Sequence, residues 1–341
     1  MRRLLLFLLL LLPFSARADD LQLELRDKAL RGQGQPALVL IANKTVSQAT
    51  VRLTGPGEKR LTLRAGSIQA GHRQELSIDA PVGRSRWAGT LAVTFADGTE
   101  GEMPLSFSVY VSEGLRFERL EGEGEFDAKA GTLRFAIRGG QPSHCEYTVT
   151  FDGKPERKGV TRFGSEVREG DPVVVSWAPH GDDDVVLRIA LVCHDTETFF
   201  FTHEVFPWKV TVAHDDVIFE TGKWDIPEHE RPKLDAVLET IRTTIRRYGE
   251  AIPKGMMKLY VAGHTDTVGD AASNMTLSLR RAEAIARYFR DRGVTIPILY
   301  TGFGESRPLV ATPDESDEPR NRRADYFISV EDPLPARWRK L

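Results

Sequence analysis

The chain has 341 residues, of which 41% are hydrophobic and 28% charged, and its 46 basic and 49 acidic residues give a formal net charge of −3. Because domains hold roughly 150 residues, we expect two or three of them. The acidic balance offers no excess of cations to neutralise phosphates, so nucleic-acid binding is not an expected function.

Residues 1–18 have the features of a secretory signal peptide. Two arginines precede an apolar run at 4–12, and Ala16 and Ala18 supply the small residues that a cleavage site needs. The run is shorter than the roughly 20 residues of a spanning helix, so we expect a mature chain that begins at Asp19 and has no transmembrane segment. That chain would carry 43 basic and 49 acidic residues.

Two stretches of short alternating runs follow, at residues 19–112 and 123–213, with a charged, glycine-containing break at 121–125 between them. Alternation of apolar and polar residues is typical of half-buried strands. The runs lie at 61–63, 75–78, 91–95, 105–111, 133–137, 147–151, 173–177, 185–192 and 199–201. Many short strands separated by turns favour antiparallel packing, so we expect two N-terminal all-β immunoglobulin-like sandwiches. Such a fold by itself assigns no function.

The two cysteines, Cys145 and Cys193, both lie in the second β stretch. In an exported protein an even number of thiols tends to pair, and we expect a disulfide that ties strands together as inter-sheet bridges do. Their neighbours His144 and His194 leave open a two-Cys, two-His metal site. Adjacent side chains on a strand point to opposite faces, however, so we expect no metal. Free buried thiols are the other alternative.

Near residue 215 the hydrophobic period changes from 2 to about 3.6. The pattern predicts a short strand at 217–219, two amphipathic helices and three further strands, in the order β-α-β-α-β-β. The second helix is expected to stop near Gly293, a suitable helix-ending glycine. We therefore predict an α+β domain at 215–332, followed by a frayed, solvated tail at 333–341.

The loop between the second strand and the second helix of this domain is the candidate binding site. It lies in the segment 263–281, where Asp266 falls just past the strand and Arg281 in the early part of the helix, bordering its apolar face. A carboxylate suits an ammonium, and a guanidinium holds a carboxylate through two parallel hydrogen bonds. The pair is therefore suited to a ligand group that carries both charges.

Several short motifs occur in one order in this part of the chain: Gly263-His264-Thr265-Asp266, Gly269, Asn274, Leu277-Ser278, Arg281-Ala282, Gly302-Phe303-Gly304-Glu305 with Pro308, and Asn321-Arg322-Arg323. This set resembles the signature of the OmpA-like peptidoglycan-binding domain family, which includes the periplasmic parts of the flagellar stator protein MotB and of the peptidoglycan-associated lipoprotein. The order of the motifs makes the likeness specific. It covers about residues 215–332 and says nothing of the β stretches.

The resemblance implies a ligand, the diaminopimelate residue of the peptidoglycan stem peptide. Asp266 and Arg281 would hold its free amino-acid end. Lysine-type stem peptides lack the side-chain carboxylate, so selectivity would follow.

The resemblance and the local chemistry also give roles to the neighbouring residues. Asn274, placed in the turn before the helix, would organise the loop through hydrogen bonds to its backbone. Thr265, Thr267 and the loop N–H groups would hold the ligand carboxylate, and Arg323 resembles a family position near the site. Ser278 would cap the helix. We interpret Arg322 as a solvated or structural arginine.

An enzyme is not expected. His264 with Asp266 as a metal pair, or with Ser278 as base and nucleophile, lacks a third partner at a recognisable spacing, and no cofactor is predicted. We expect a periplasmic, peptidoglycan-associated protein at the inner face of the outer membrane that tethers its β domains to the wall. The alternative is a periplasmic adaptor whose β domains carry the main binding activity toward an envelope protein.

Overall fold

The computed structural model of the chain describes residues 4–5, 20–120, 125–220, 222–334 and 336–341. Most of the predicted signal peptide at 1–18, its cleavage site, and most of the break at 121–125 lie outside the described residues. The described part is largely β-structure, and its α-helices lie in the C-terminal third.

The first β region consists of two sheets that share one core. The strands are β1 (Leu4–Leu5), β2 (Leu21–Arg26), β3 (Lys28–Leu30), β4 (Ala37–Ala42), β5 (Val46–Thr54), β6 (Arg60–Ala65), β7 (Arg73–Ser77), β8 (Gly83–Phe95) and β9 (Glu100–Ser112). One sheet has the order β1-β2-β4-β7 and the other β3-β9-β8-β5-β6. Leu40 of the first sheet packs in the same buried cluster as Val51 and Trp87 of the second.

The second β region repeats this two-sheet arrangement. Its strands are β10 (Arg116–Arg119), β11 (Phe126–Asp127), β12 (Thr132–Arg138), β13 (Pro142–Phe151), β14 (Arg157–Arg162), β15 (Pro172–Ser176), β16 (Val186–Asp195) and β17 (Phe200–Val205). One sheet joins β10, β11 and β15 to β12, and the other has the order β14-β13-β16-β17. Phe135 and Val175 of the first sheet share a buried cluster with Val149 and Ile189 of the second.

The predicted disulfide is present between Cys145 and Cys193. The two residues lie directly opposite each other on β13 and β16, which are neighbours in one sheet. The expectation that the bridge would resemble an inter-sheet one is therefore wrong, because both strands belong to the same sheet. The bond also uses both thiols, which excludes the two-Cys, two-His metal site and the free thiols.

The C-terminal region is a five-stranded sheet with two helices on one face. Its elements are β18 (Lys209–Thr211), α1 (Arg231–Tyr248), β19 (Lys258–Gly263), α2 (Ala271–Asp291), β20 (Ile298–Gly302), β21 (Ala324–Ser329) and β22 (Arg339–Lys340). The sheet order is β18-β21-β19-β20-β22, with β19 and β20 parallel. Ile241, Ile285 and Phe289 of the helices pack with Val261 of β19. Among the described residues, no helix is long and apolar enough to cross a membrane.

The first strand of this region is not where the sequence pattern predicts it. The sheet edge is formed by Lys209–Thr211, which pairs with β21, whereas residues 217–219 form no strand. Their alternation is nevertheless real, because Val217 is buried, Ile218 is 67% exposed and Phe219 packs against the core. The segment lies with one side against the domain core and the other toward solvent, and this arrangement produces the alternation without a strand partner.

The C-terminal tail is also unlike the frayed terminus that we predicted. Residues Arg339–Lys340 pair with β20, and Trp338 packs edge-on against Tyr260 with ring centroids 4.9 Å apart. Leu334 and Ala336 join the same small cluster. The tail is held because its apolar side chains cover the sheet face opposite the helices.

Polar contacts also join the three regions. Lys28 Nζ donates to the backbone carbonyl of Glu197 at 2.7 Å, and Arg84 pairs with the Glu197 carboxylate. Arg247 of α1 pairs with Asp152 of the second β region at 2.6 Å. These contacts connect each region to its neighbour in the chain.

Candidate functional site

The loop that carries the candidate site is short, because α2 begins earlier than predicted. Asp270 caps the helix, with its Oδ2 accepting from the Ser273 N–H at 2.8 Å. Asn274 therefore lies in the first turn of α2 rather than before it, and Arg281 lies in the middle of the helix rather than in its early part. Ser278 is not a cap. Its Oγ accepts from the Gly304 N–H at 2.9 Å and joins the helix to the segment after β20.

Two glycines at strand ends set the position of α2. A Cβ on Gly302 would lie 2.5 Å from Ser278 Oγ, and one on Gly263 would overlap the Ser278 carbonyl oxygen. The helix therefore lies directly against the ends of β19 and β20. This approach places the helical side chains at the same edge of the sheet as the loop after β19.

Asp266 lies in this loop and is 7% exposed. Its Oδ2 accepts from Arg322 Nη1 at 2.5 Å, and Arg322 also pairs with Asp317. The hydrogen bond to the Asp266 carboxylate raises the pKa of Arg322. Arg322, which we interpret from the sequence as solvated or structural, thus pairs with Asp266, the carboxylate predicted to bind the ligand ammonium. The sequence motif contains Arg322, but nothing in its spacing indicates this contact.

Arg281 is 8% exposed and its guanidinium lies beneath the segment that precedes α1. Its Nε donates to the Lys223 carbonyl at 3.1 Å and its Nη2 to the Glu220 carbonyl at 3.4 Å, while Phe219 packs on its face at 5.0 Å. Burial, together with the like charge of Arg322, lowers the pKa of Arg281. A guanidinium has five N–H donors, so these two bonds leave donors for a ligand.

A cavity of about 290 Å³ opens beside these groups. It is lined by Asp216, Val217, Ile218, Phe219, His264, Arg281, Pro319, Arg320, Arg322, Arg323 and Ala324. The lining holds four arginines and one carboxylate. Three of these arginines pair with carboxylates beside the cavity, and the remaining N–H donors suit an anionic group that accepts forked hydrogen bonds. Asp266 is not part of this lining, and Arg322 bridges from the cavity to it.

Asn274 holds the loop in the manner predicted for it. Its Nδ2 donates to the backbone carbonyls of Asp266 at 3.4 Å and Val268 at 3.2 Å, and to the Glu305 carboxylate at 2.8 Å. The side chain therefore connects the loop after β19 to the segment after β20. Asn274 thus positions the loop that carries Asp266 and does not itself line the cavity.

The predicted threonine contacts are partly occupied by the protein itself. Thr267 Oγ1 donates to the Pro313 carbonyl at 2.9 Å and accepts from the Ser316 N–H at 3.0 Å. The Gly269 N–H donates to the Glu315 carboxylate at 3.3 Å. The acidic segment 313–318 thus covers this side of the loop. Thr265 is buried, and its hydroxyl has no hydrogen-bond partner among the described residues.

Arg323 lines the cavity and pairs with Asp325. Its Nε and Nη2 lie 3.2 and 3.3 Å from the two carboxylate oxygens. His264 also approaches this carboxylate, with Nε2 3.1 Å from Asp325 Oδ2, and its ring stacks on that of Phe303 with centroids 5.3 Å apart. His264 therefore packs at the strand end against Asp325 and Phe303, and not against Asp266 or Ser278.

Comparisons with known proteins identify relatives of part of the chain. A model of the OmpA family matches residues 218–322. The peptidoglycan-associated lipoprotein of Haemophilus influenzae is 40% identical over 112 residues, which are 33% of this chain and 67% of that protein. Outer membrane protein P5 of Haemophilus influenzae is 35% identical over 117 residues, and the match spans 34% of this chain and 30% of that protein. The crystal structure of the peptidoglycan-associated lipoprotein from Burkholderia pseudomallei is 21% identical, with a TM-score of 0.27, and the match covers 33% of this chain and 89% of that one.

Proposed function

This chain belongs to the OmpA family, whose model matches residues 218–322, and we propose that it is a non-catalytic cell-envelope protein that binds the diaminopimelate residue of peptidoglycan. A relative that is 40% identical is named a peptidoglycan-associated lipoprotein, which supports association with the wall. The choice of diaminopimelate rests on the family resemblance, and the charges of Asp266 and Arg281 agree with it.

The observation that carries the proposal is that Arg281 and Arg322 line one cavity and that Arg322 is bound to Asp266 beside it. The ligand carboxylate binds the donors of Arg281 that its two carbonyl contacts leave free. The ligand ammonium replaces Arg322 at Asp266. Arg322 is able to move because 39% of its side chain is exposed, and the displaced guanidinium remains at the cavity for a second anionic group of the stem peptide.

Four further residues support this arrangement. Thr265 supplies a buried hydroxyl with no partner among the described residues, and Arg323 adds positive charge to the lining. Thr267 and Asn274 fix the loop through the hydrogen bonds described above. In this proposal the first pair contacts the ligand and the second pair positions Asp266.

In this proposal the two β domains extend from the wall-bound C-terminal domain and contact another envelope protein. The proposed division is a signal peptide at 1–18, immunoglobulin-like sandwiches at 19–112 and 123–213, and the wall-binding domain at 215–332 with the tail at 333–341. The sheet of the last domain also takes in Lys209–Thr211 and Arg339–Lys340. The β domains present a surface to an envelope protein in the periplasm, at the inner face of the outer membrane. Relatives that are named outer membrane proteins support this location.

Co-sedimentation with purified diaminopimelate-type sacculi tests the proposal. The mature wild-type protein is expected to pellet, whereas Asp266→Ala and Arg281→Ala stay in the supernatant. Arg287→Ala, on the exposed face of the same helix, and Asp182→Ala, in a turn of the second β region, are matched controls that should pellet like the wild type. Equal pelleting by all five proteins would refute the assignment.

A second measurement addresses catalysis. Stem-peptide fragments incubated with the protein are expected to keep their masses, because the site is proposed only to bind. Appearance of a cleaved or transferred product in the mass spectrum would instead identify an enzyme.

A further inference from the structure

The outer face of the disulfide-bearing sheet holds a cluster of side chains that the wall-binding site does not use. Cys145 and Cys193 lie opposite each other on β13 and β16 and face the core, where both are fully buried. Because successive side chains of a strand point to opposite faces, the neighbouring His144 and His194 share the outer face. They too are directly opposite each other in the register.

The two imidazole rings are parallel and close, with centroids 4.5 Å apart and an interplanar angle of 2°. Glu146 lies two residues beyond His144, on the same face of the same strand. Ligand atoms of His144, Glu146 and His194 all lie within 4.8 Å of one another. Among the described residues, no other group of three His, Cys, Asp or Glu side chains is gathered in this way.

Two imidazoles and one carboxylate form a ligand set that suits a transition-metal ion of intermediate softness, such as zinc. Zinc sites with three protein ligands use this combination and keep a fourth position open for water. Calcium and magnesium prefer oxygen ligands throughout, so the two histidines select against them. We propose that His144, Glu146 and His194 bind one divalent transition-metal ion, with zinc as the reference ion and water at the fourth position.

The backbone around this site is already fixed. The β13–β16 ladder and the adjacent disulfide hold the Cα atoms of the two histidines in register. Ligand atoms around one zinc ion lie roughly 3–3.5 Å apart, given metal–ligand distances of about 2 Å. The three ligand atoms lie within 4.8 Å of one another, so they need to approach by about 1–2 Å to bind one ion. Ser143 Oγ lies 3.2 Å from His144 Nδ1. A hydrogen bond there would direct Nε2 of that ring toward the metal.

One charge opposes binding. Arg162 of β14 is the register partner of His144, and its guanidinium repels a cation on this face. The Glu146 carboxylate on the same face offsets that charge. The expected affinity therefore depends on Glu146 as well as on the two nitrogen ligands.

Zinc titration of the mature, tag-free protein after chelator treatment tests this site, with binding followed by isothermal calorimetry. One zinc ion per chain is expected, with no heat from magnesium or calcium. His144→Ala and His194→Ala should each weaken binding by about tenfold or more, and Glu146→Gln by a smaller factor. His72→Ala, an exposed histidine of the first β region, is the matched control and should bind zinc like the wild type.

The variants must keep the Cys145–Cys193 bond and the wild-type circular dichroism, which separates loss of a ligand from loss of the fold. Absence of zinc binding by the wild type would overturn the proposal. Unchanged affinity in either histidine variant, or equal weakening by His72→Ala, would overturn it as well. None of these outcomes bears on the wall-binding site, which uses different residues in a different region.

Discussion

At the scale of single residues, the candidate site is built on charges that already have protein partners. Asp266 is bound by Arg322 at 2.5 Å, and Arg281 is held by the carbonyl oxygens of Lys223 and Glu220. A ligand ammonium would therefore displace Arg322 from Asp266, whereas a ligand carboxylate would add to the carbonyl contacts of Arg281. A ligand without the carboxylate would displace Arg322 and gain no contact with Arg281, so binding favours a ligand that matches both charges.

Removing Arg322 tests the importance of its pairing for the fold. Arg322→Ala leaves the buried Asp266 carboxylate without this guanidinium, and we expect the free energy of unfolding to fall by about 1 kcal/mol after allowance for solvent screening at the exposed arginine. Urea unfolding measures the change. Arg320→Ala, which removes an exposed pair with Glu318, should leave the midpoint unchanged. Equal effects of the two variants would contradict this role of Arg322.

The sequence predicts Asp266 and Arg281 as binding residues because their charges and the family motifs that contain them are local features of the chain. It does not identify the contact between Asp266 and Arg322, because the two residues are 56 positions apart and meet only through the fold. The same holds for the carbonyl contacts of Arg281, whose partners lie 58 and 61 positions away. Long-range pairing of this kind has no local sequence signal.

At the scale of elements, the site depends on how closely α2 approaches the strand ends. Gly302→Ala introduces a Cβ 2.5 Å from Ser278 Oγ, and overpacking of this kind typically costs about 1–3 kcal/mol. We expect faster amide hydrogen exchange in α2 of this variant. Gly66→Ala, at a position with open space around it, should exchange like the wild type. Unchanged exchange in α2 of Gly302→Ala would contradict the close contact.

Periodicity predicted the elements of the C-terminal region better than their partners. The helices and the strands near 258–262 and 298–302 follow from their apolar spacing, and they are observed as α1, α2, β19 and β20. Residues 217–219 have the alternation of a strand but remain unpaired, because Lys209–Thr211 occupies the edge beside β21. Alternation indicates which side chains are buried, whereas strand pairing depends on which segment lies along the sheet edge.

The C-terminal strand provides a further test at this scale. Trp338 packs against Tyr260 and Phe303 on the sheet face opposite the helices. Trp338→Ala should lower the free energy of unfolding by about 1–3 kcal/mol through lost apolar burial and ring contacts. Thermal unfolding followed by circular dichroism measures the loss. Retention of the wild-type unfolding temperature would show that the tail is not part of the folded domain.

In the whole molecule, the disulfide belongs to the second β region, which lies between the first β region and the C-terminal region in the chain. The bond joins residues 48 positions apart, and cross-links of this span typically contribute about 2–4 kcal/mol. Reduction is therefore expected to lower the urea concentration at which this region is half unfolded. Hydrogen exchange of the amides in β13 and β16 measures that midpoint. The C-terminal helices should be unaffected. An unchanged urea midpoint for the reduced protein would show that the disulfide does not stabilise this region.

We propose that Asp266 and Arg281 recognise the free amino-acid end of diaminopimelate. The most direct measurement is calorimetric titration with two stem peptides that differ only in having diaminopimelate or lysine at the third position. The wild type should prefer the diaminopimelate peptide by about tenfold or more, since the lysine peptide lacks the carboxylate for Arg281. Arg281→Ala should abolish that preference. Equal affinity of the wild type for both peptides, or a preference that survives in Arg281→Ala, would show that Arg281 does not recognise the side-chain carboxylate of diaminopimelate.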